Sequence, residues 1–377
     1  SLEVYWNTTK DLLMAVPVDN TTGYSYQFQN FGKTSNRGIE LSVNVDVINK
    51  GDFRFNVGAI YNYNRNKLDE LPNADQYLYS SYWGSSSLVP TNDYMFVEGK
   101  AIGLVRGFIS EGYYTVDDFN YTNGQYVLKE GVPDITKALT ATYMHPYDLP
   151  AGQTAFPGAA KFRDVDESGT VDLDDATCLG EVMPRHTGSF QLNFNYKNFD
   201  LSTNFNWTAG GKVYNVAAMI NASGQEFDGI GAQRASWVAD AFKVYNVNAA
   251  GDLYAVTNPD ELRALNANAK YHLPYHQSGI TSSEWLENGS YLRLQTLTLG
   301  YTLPKNWLTK VHVDKIRLYL TATNLFTITG YSGIDPEVNA NPTGQSGFYS
   351  DLRIFPTLNM DFGTYPDRKS TRLNSSH

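Results

Sequence analysis

From Asp164 to Asp175 the chain reads Asp-Val-Asp-Glu-Ser-Gly-Thr-Val-Asp-Leu-Asp-Asp, which sets oxygen donors at the spacing of a calcium-binding loop of the EF-hand type. Asp164, Asp166 and Ser168 offer side-chain oxygens, and Thr170 offers its backbone carbonyl. Gly169 supplies the sharp turn and Val171 the usual apolar position. Asp172 would act directly or through water. The closing position departs from the pattern, because Asp175 stands where a bidentate Glu is usual. It is one methylene shorter, and the neighbouring Asp174 could substitute for it. Ca2+ held there would be a structural ion, not a catalytic one. The competing reading is an acidic, Asx-rich surface turn with no metal, and no flanking helices are apparent.

No other constellation points to catalysis, and the chain reads as a non-enzyme. Ser85, Ser86 and Ser87 follow Gly84 without a nucleophile-elbow pattern, and neither a P-loop nor a dinucleotide fingerprint occurs. His272 and His276 are four apart, but Leu273-Pro274-Tyr275 between them breaks any helix that could aim both at a metal. Asp69-Glu70 and Asp117-Asp118 read as solvated loop carboxylates. Two aromatic groups stand out: Tyr77, Tyr79, Tyr82 and Trp83, then Tyr113, Tyr114, Phe119, Tyr121 and Tyr126. They could stack on sugar rings, touch a partner protein, or pack on one another.

The elements that position these residues read as strands. Aromatics make up 14% of 377 residues, with 27 Tyr and 19 Phe against only 18% charged residues, which favours half-buried pleated surfaces. The net charge of −10 argues against a nucleic-acid partner, which needs a basic stripe. One cysteine, Cys178, excludes an internal disulfide and reads as a small apolar filler. No run of about 18 apolar residues offers a membrane helix, which says nothing against a barrel whose strands are about 10 residues long. No signal peptide is present, since Ser1 to Trp6 already read as strand, so the chain is expected to be a fragment.

Two long hairpins carry the strongest period. Ile39, Leu41, Val43, Val45 and Val47 alternate with Glu40, Ser42, Asn44 and Asp46, and after Asn49 to Asp52 the alternation resumes from Phe53 to Tyr63. Phe190 to Tyr196 and Phe199 to Trp207 repeat it around Lys197-Asn198. A soluble sandwich and a transmembrane barrel both fit such ribbons. Two details favour the barrel. Tyr61, Tyr63, Tyr196, Phe205 and Trp207 gather toward strand ends, and the opposite faces hold Asn, Gln and Ser instead of Lys and Glu. Short turns, including Pro304 to Lys310, also alternate with long irregular segments near 68–99, 115–184 and 214–287, the asymmetry of an outer-membrane barrel.

Several blocks resemble the SusC/RagA family of TonB-dependent outer-membrane transporters. They are Asn36-Arg37-Gly38-Ile39-Glu40, Phe162-Arg163-Asp164 leading into the Gly169 loop with Gly180 and Pro184, and Tyr196 to Leu201. Tyr291-Leu292-Arg293-Leu294 and Asn324-Leu325-Phe326 through Asp335-Pro336-Glu337 complete the set. The resemblance implies an all-β fold: part of an antiparallel transmembrane barrel of about 22 strands with long extracellular loops and a plugged lumen. It also implies contact with membrane lipid, a SusD-like surface lipoprotein lid, and TonB engaged through an N-terminal segment these residues do not include. Cargo in the family is oligosaccharide or peptide. A siderophore receptor and a surface glycan-binding β-protein are the other readings.

The resemblance covers residues 1–366. Residues 359–366 are similar to the approach to the family's last strand, which should continue with alternating apolar residues. Residues 367–377 are polar without period, look like translated adapter sequence, and are expected to be a non-native tail that leaves the last strand missing.

Overall fold

The computed structural model describes residues 1–17, 21, 23, 26–30, 32–71, 76–80, 88–140, 145–223, 235–273, 279–309, 313–338, 359–361 and 371–376. Its largest element is one antiparallel sheet of eight strands. In chain order these are β1 (Leu2–Lys10), β2 (Lys33–Lys50), β3 (Phe53–Glu70), β4 (His186–Tyr196), β5 (Phe199–Ala209), β6 (Tyr291–Thr302), β7 (Arg317–Thr329) and β8 (Thr371–Ser376). Spatial order equals chain order, as it must when neighbours are joined in up-and-down fashion.

Register follows from the period of two, because a slip of one residue would turn every apolar side chain to the wrong face. Val43, Ala59, Phe190, Phe205, Leu294 and Phe326 lie side by side in one cross-strand row. The next row toward the short turns is Val45, Val57, Leu192, Thr203, Leu297 and Ala322. Much of this apolar face stays exposed, with Val4 71% accessible and Ile328 61%, while Thr203, Leu294 and Ala322 are buried within it. For a folded chain in water such a continuous apolar surface is untenable, so the wall is built for lipid.

Aromatics bound the apolar face at both ends. Phe53, Tyr196, Phe199 and Tyr301 form one cross-strand row beside the short turns, with Phe199 and Tyr301 ring centroids 4.5 Å apart. Tyr61 and Trp207 face each other at 6.1 Å toward the other end. Gly188 lies under Trp207, where a Cβ would come within 2.7 Å of the indole. Eight residues separate Phe53 from Tyr61, about 26 Å of strand and about 20 Å along the membrane normal at a tilt near 40°.

The structure extends and corrects several expectations. A bulge between Asp46 and Ile48 brings Ile48 opposite Phe55, so the outward row continues through Ile48. Asp69 and Glu70 belong to β3, not to a loop, and pair with Lys67 and Lys33. β7 runs on through Asn324, in the left-handed region at φ +50°, to Thr329. Thr371–Ser376, within the stretch read as a non-native tail, pairs with Arg317–Ala322 as an edge strand. An open edge offers unpaired N–H and C=O groups to any extended segment, so this pairing asks little of the sequence.

The described residues of the long segments are not irregular throughout. They fold into a layer at one end of the wall, containing a four-stranded sheet in the order Thr177–Glu181, Leu104–Gly107, Tyr94–Val97, Gln76–Tyr79. Two apolar clusters hold this layer. One contains Phe108, Tyr114, Tyr126, Phe156 and Leu262, the other Tyr94, Val105, Tyr214, Met219 and Trp237. All short turns of the wall lie at the opposite end. Among the described residues no helix is long and apolar enough to cross a membrane.

Candidate functional site

Three regions of the molecule concentrate polar chemistry. The first is the face of the wall opposite the apolar one. There Asn56 donates through Nδ2 to Asn44 Oδ1 (2.7 Å) and Asp46 Oδ1 (2.9 Å). Ser202 Oγ donates to Asn193 Oδ1 at 2.6 Å, and Asn204 and Asn206 share Gln295 Oε1 at 3.0 and 2.9 Å. A concavity of about 500 Å³ opens on this face between Asn44, Gln191, Ser202, Asn204 and Thr296. Amides and hydroxyls, joined by the Asp46 carboxylate, satisfy one another across strands here, which suits a confined aqueous lumen. Toward the short turns Arg317 Nε donates to Asp200 Oδ1 at 3.0 Å. Gly300 leaves room for that pair, since a Cβ there would lie 2.5 Å from both groups.

The second region is a clasp over the layer end of the wall. Arg293 is only 9% exposed, and its guanidinium meets Asp335, Glu337 at 2.7 Å and Thr327 Oγ1 at 3.1 Å. Glu287 accepts from Ser332 N and from Asn215 Nδ2, and Tyr331 Oη donates to Asp361. The segment after β7 is thereby tied to three other pieces of chain. Arg293 and the Asp335-Pro336-Glu337 block, separate motifs in the sequence, are one structural unit.

The third region is the acidic loop. Carboxylate oxygens of Asp164, Asp166 and Asp175 lie within 4.8 Å of one another. Oxygens bound to one Ca2+ at 2.3–2.6 Å cannot be farther apart than about 5 Å, so these three fit a shared cation. Asp175 is fully buried and accepts from Val165 N (2.6 Å) and Asp172 N (2.8 Å), closing the loop from its far end. Asp164 accepts from Ser168 N and Gly169 N, and Gly169 takes φ +88°. Ser168 Oγ donates to the Thr170 carbonyl at 3.0 Å. Asp172 is drawn elsewhere: its Oδ1 accepts from Asp174 N and caps a single 3-10 turn, Leu173–Asp175. The Asp–Asp capping turn replaces the helix that usually follows such a loop.

Of the aromatic side chains expected to offer stacking platforms, Tyr79, Tyr114, Phe119 and Tyr126 are buried. They serve as core, which corrects the ligand-stacking reading for them. Tyr121 remains 43% exposed, while Tyr82 and Trp83 lie outside the described residues, as do Ser85 to Ser87 and His276. Asp118 pairs with Lys161 at 2.8 Å and is largely covered, whereas Asp117 meets Arg263 at 2.9 Å and stays solvated, as expected. Cys178 is exposed, not an apolar filler.

Comparison with known proteins shows what the chain is similar to. No family model matches the chain. It is 28% identical over 368 residues to TonB-dependent receptor P3 of Formosa agariphila, covering 97% of this chain and 31% of that protein. It is 25% identical over 355 residues to TonB-dependent receptor SusC of Bacteroides thetaiotaomicron, covering 90% of this chain and 28% of that one. In fold it matches the RagAB peptide transporter with a TM-score of 0.63 at 21% identity, over 99% of this chain and 32% of the other. The RagAB peptide importer in its closed-closed state gives 0.64 at 22% identity. The chain thus spans about a third of the length of these relatives.

Proposed function

We propose, for a chain that is a piece of an outer-membrane barrel of the SusC/RagA type of TonB-dependent transporter, that the whole protein imports a nutrient from outside the cell. The chain is not an enzyme: its relatives are receptors and transporters. The observation that carries the proposal is the two-faced wall, a mostly apolar exterior behind an interior rich in amides and hydroxyls. In lipid only a closed barrel pairs every backbone group, and an interior rich in hydrogen-bonding side chains admits hydrated polar cargo.

The cargo we infer is oligosaccharide, taken up beneath a SusD-like lipoprotein lid and driven by TonB. A second reading is peptide cargo, favoured by the fold shared with the RagAB peptide transporter. Deleting the complete gene tests both. Loss of growth on a defined oligosaccharide, restored by the intact gene, supports the first reading. Loss confined to peptide as nitrogen source supports the second. A defect seen only under iron limitation overturns both in favour of a siderophore receptor.

Within the layer, we propose Ca2+ as a structural ion of the acidic loop, held by Asp164, Asp166, Ser168 and Asp175 with the Thr170 carbonyl. Asp172 would join through water. The grouping of the three carboxylates supports this reading.

A further inference from the structure

Arg37 and Arg65 stand directly opposite one another across β2 and β3, in a row that begins with Trp6 on β1. The period of two puts this row on the outward face. Ile39 and Tyr63 lie one step nearer the midplane, and Leu41 and Tyr61 one step beyond them. Both arginines are exposed. Like charges directly opposite in an antiparallel pair have Cβ atoms about 5 Å apart and repel each other.

Nothing in the wall relieves that repulsion. Among the described residues neither guanidinium meets a carboxylate, and Arg37 instead lies over the Trp6 ring at 3.7 Å from its centroid. The neighbouring acids are committed elsewhere: Asp69 to Lys67, Glu70 to Lys33 and Glu181 to Arg185. Glu3 and Glu40, paired across β1 and β2, have the opposite parity and belong to the lumenal face.

Height on the wall says what the arginines meet. Arg65 follows Tyr61 by four residues on β3, about 13 Å of strand and about 10 Å along the membrane normal at a tilt near 40°. Since Tyr61 bounds the apolar face, Arg65 stands among lipid headgroups at the end of the long segments. Toward the midplane from the pair, Val4, Ile39 and Leu41 present exposed apolar side chains.

We propose that Arg37 and Arg65 bind the phosphate of a lipid headgroup in the outer leaflet, with the acyl chain lying along Val4, Ile39 and Leu41. A phosphate monoester carries more than one negative charge and three acceptor oxygens, so it engages two guanidinium forks at once and turns their repulsion into attraction. Free phosphate offers the same oxygens but nothing for the apolar rows beneath. The pair lies outside the barrel, so cargo in the lumen does not reach it.

Native mass spectrometry of the complete protein in detergent, with phosphatidic acid, phosphatidylcholine of the same chains or inorganic phosphate added, tests the site. Wild type should retain phosphatidic acid several-fold better than the double variant Arg37→Gln, Arg65→Gln, and phosphatidylcholine no better than that variant does. The double variant Arg37→Lys, Arg65→Lys keeps both charges but loses the planar forks, so its retention should fall between the two. Phosphatidic acid should raise the melting midpoint of wild type and leave the Gln pair unmoved. Heat-dependent gel mobility confirms that each barrel is folded. Equal retention of phosphatidic acid by wild type and both folded double variants overturns the site. An equal rise in midpoint from inorganic phosphate at the same concentration overturns the lipid as its occupant. Loss of a co-purifying protein from the Gln pair, with lipid retention unchanged, would give the arginines to a protein partner instead. The site rests on the outward face lying in lipid, and release of wild type from membranes by salt alone would remove that premise as well.

Discussion

Phe194 and Phe156 are the same residue type answering to different surroundings. Phe194 stacks on Phe55 at 4.3 Å in the outward face of the wall, where lipid covers the other side of the ring. Phe156 is 2% exposed and lies 4.1 Å from His145 inside the layer, where only protein surrounds it. The wall is specified strand by strand, each residue by its parity. The layer is specified by contacts between distant segments, such as Tyr126 Oη donating to the Thr257 carbonyl. The two regions should therefore fail differently.

Phe156→Ala sharpens the contrast most. It leaves a cavity that protein cannot fill, at a cost of about 3–5 kcal/mol to the layer. Phe194→Ala should cost clearly less, because lipid chains move into the space and the cavity contribution disappears. Protease nicking of the layer, read beside the heat-dependent gel mobility of the barrel, separates the two. Equal losses in both assays would mean that wall and layer form one cooperative unit. A loss of similar size is expected for Arg293→Met, which strands the buried Asp335 carboxylate and costs about 3–5 kcal/mol. The double variant Arg293→Met, Asp335→Leu should recover much of that loss, and its failure to do so would show that Arg293 does more than neutralise Asp335.

What was legible in the sequence follows this division. The wall strands from Ile39 to Trp207 could be read because one residue in two faces lipid, so each strand announces its own face. The bulge at Asp46 and the continuation of β7 past Asn324 could not, because a register shift depends on the neighbouring strand. The layer was opaque for the same reason. Tyr114 and Tyr126 carry no local mark that separates a buried ring from a binding platform, and only their distant partners decide it. The acidic loop was legible in part. Its spacing brought Asp164, Asp166 and Asp175 together, but the capping turn that diverts Asp172 depends on backbone geometry the spacing does not encode.

A charge placed on the two faces of one strand tests the wall itself. Leu192 lies in the middle outward row, so Leu192→Arg should cost about 2–4 kcal/mol at the bilayer midplane. Gln191, its neighbour, lines the lumenal concavity, and Gln191→Arg should fold with little loss. Urea unfolding in lipid vesicles reads both. The reverse order of effects would exchange inside and outside and break the barrel assignment.

The smallest expected effect concerns the acidic loop, where the layer behaves most like the wall in being locally encoded. Its carboxylates already accept backbone N–H groups, Asp164 from Gly169 at 2.7 Å and Asp175 from Val165 at 2.6 Å, so the loop can close without an ion. Ca2+ would then add stability by mass action alone, about 2.7 kcal/mol at a hundredfold excess over its dissociation constant. Asp175→Asn is the informative variant, since its amide oxygen can still accept from Val165 while the negative charge, and with it the bond from Asp172 N, is gone. The expected outcome is calcium-dependent protection of the loop from proteolysis in wild type, reversed by chelation, with neither effect in Asp175→Asn. Nicking that ignores calcium in both proteins would mean that the Asx turns alone hold the loop, and the site would be an acidic turn without metal.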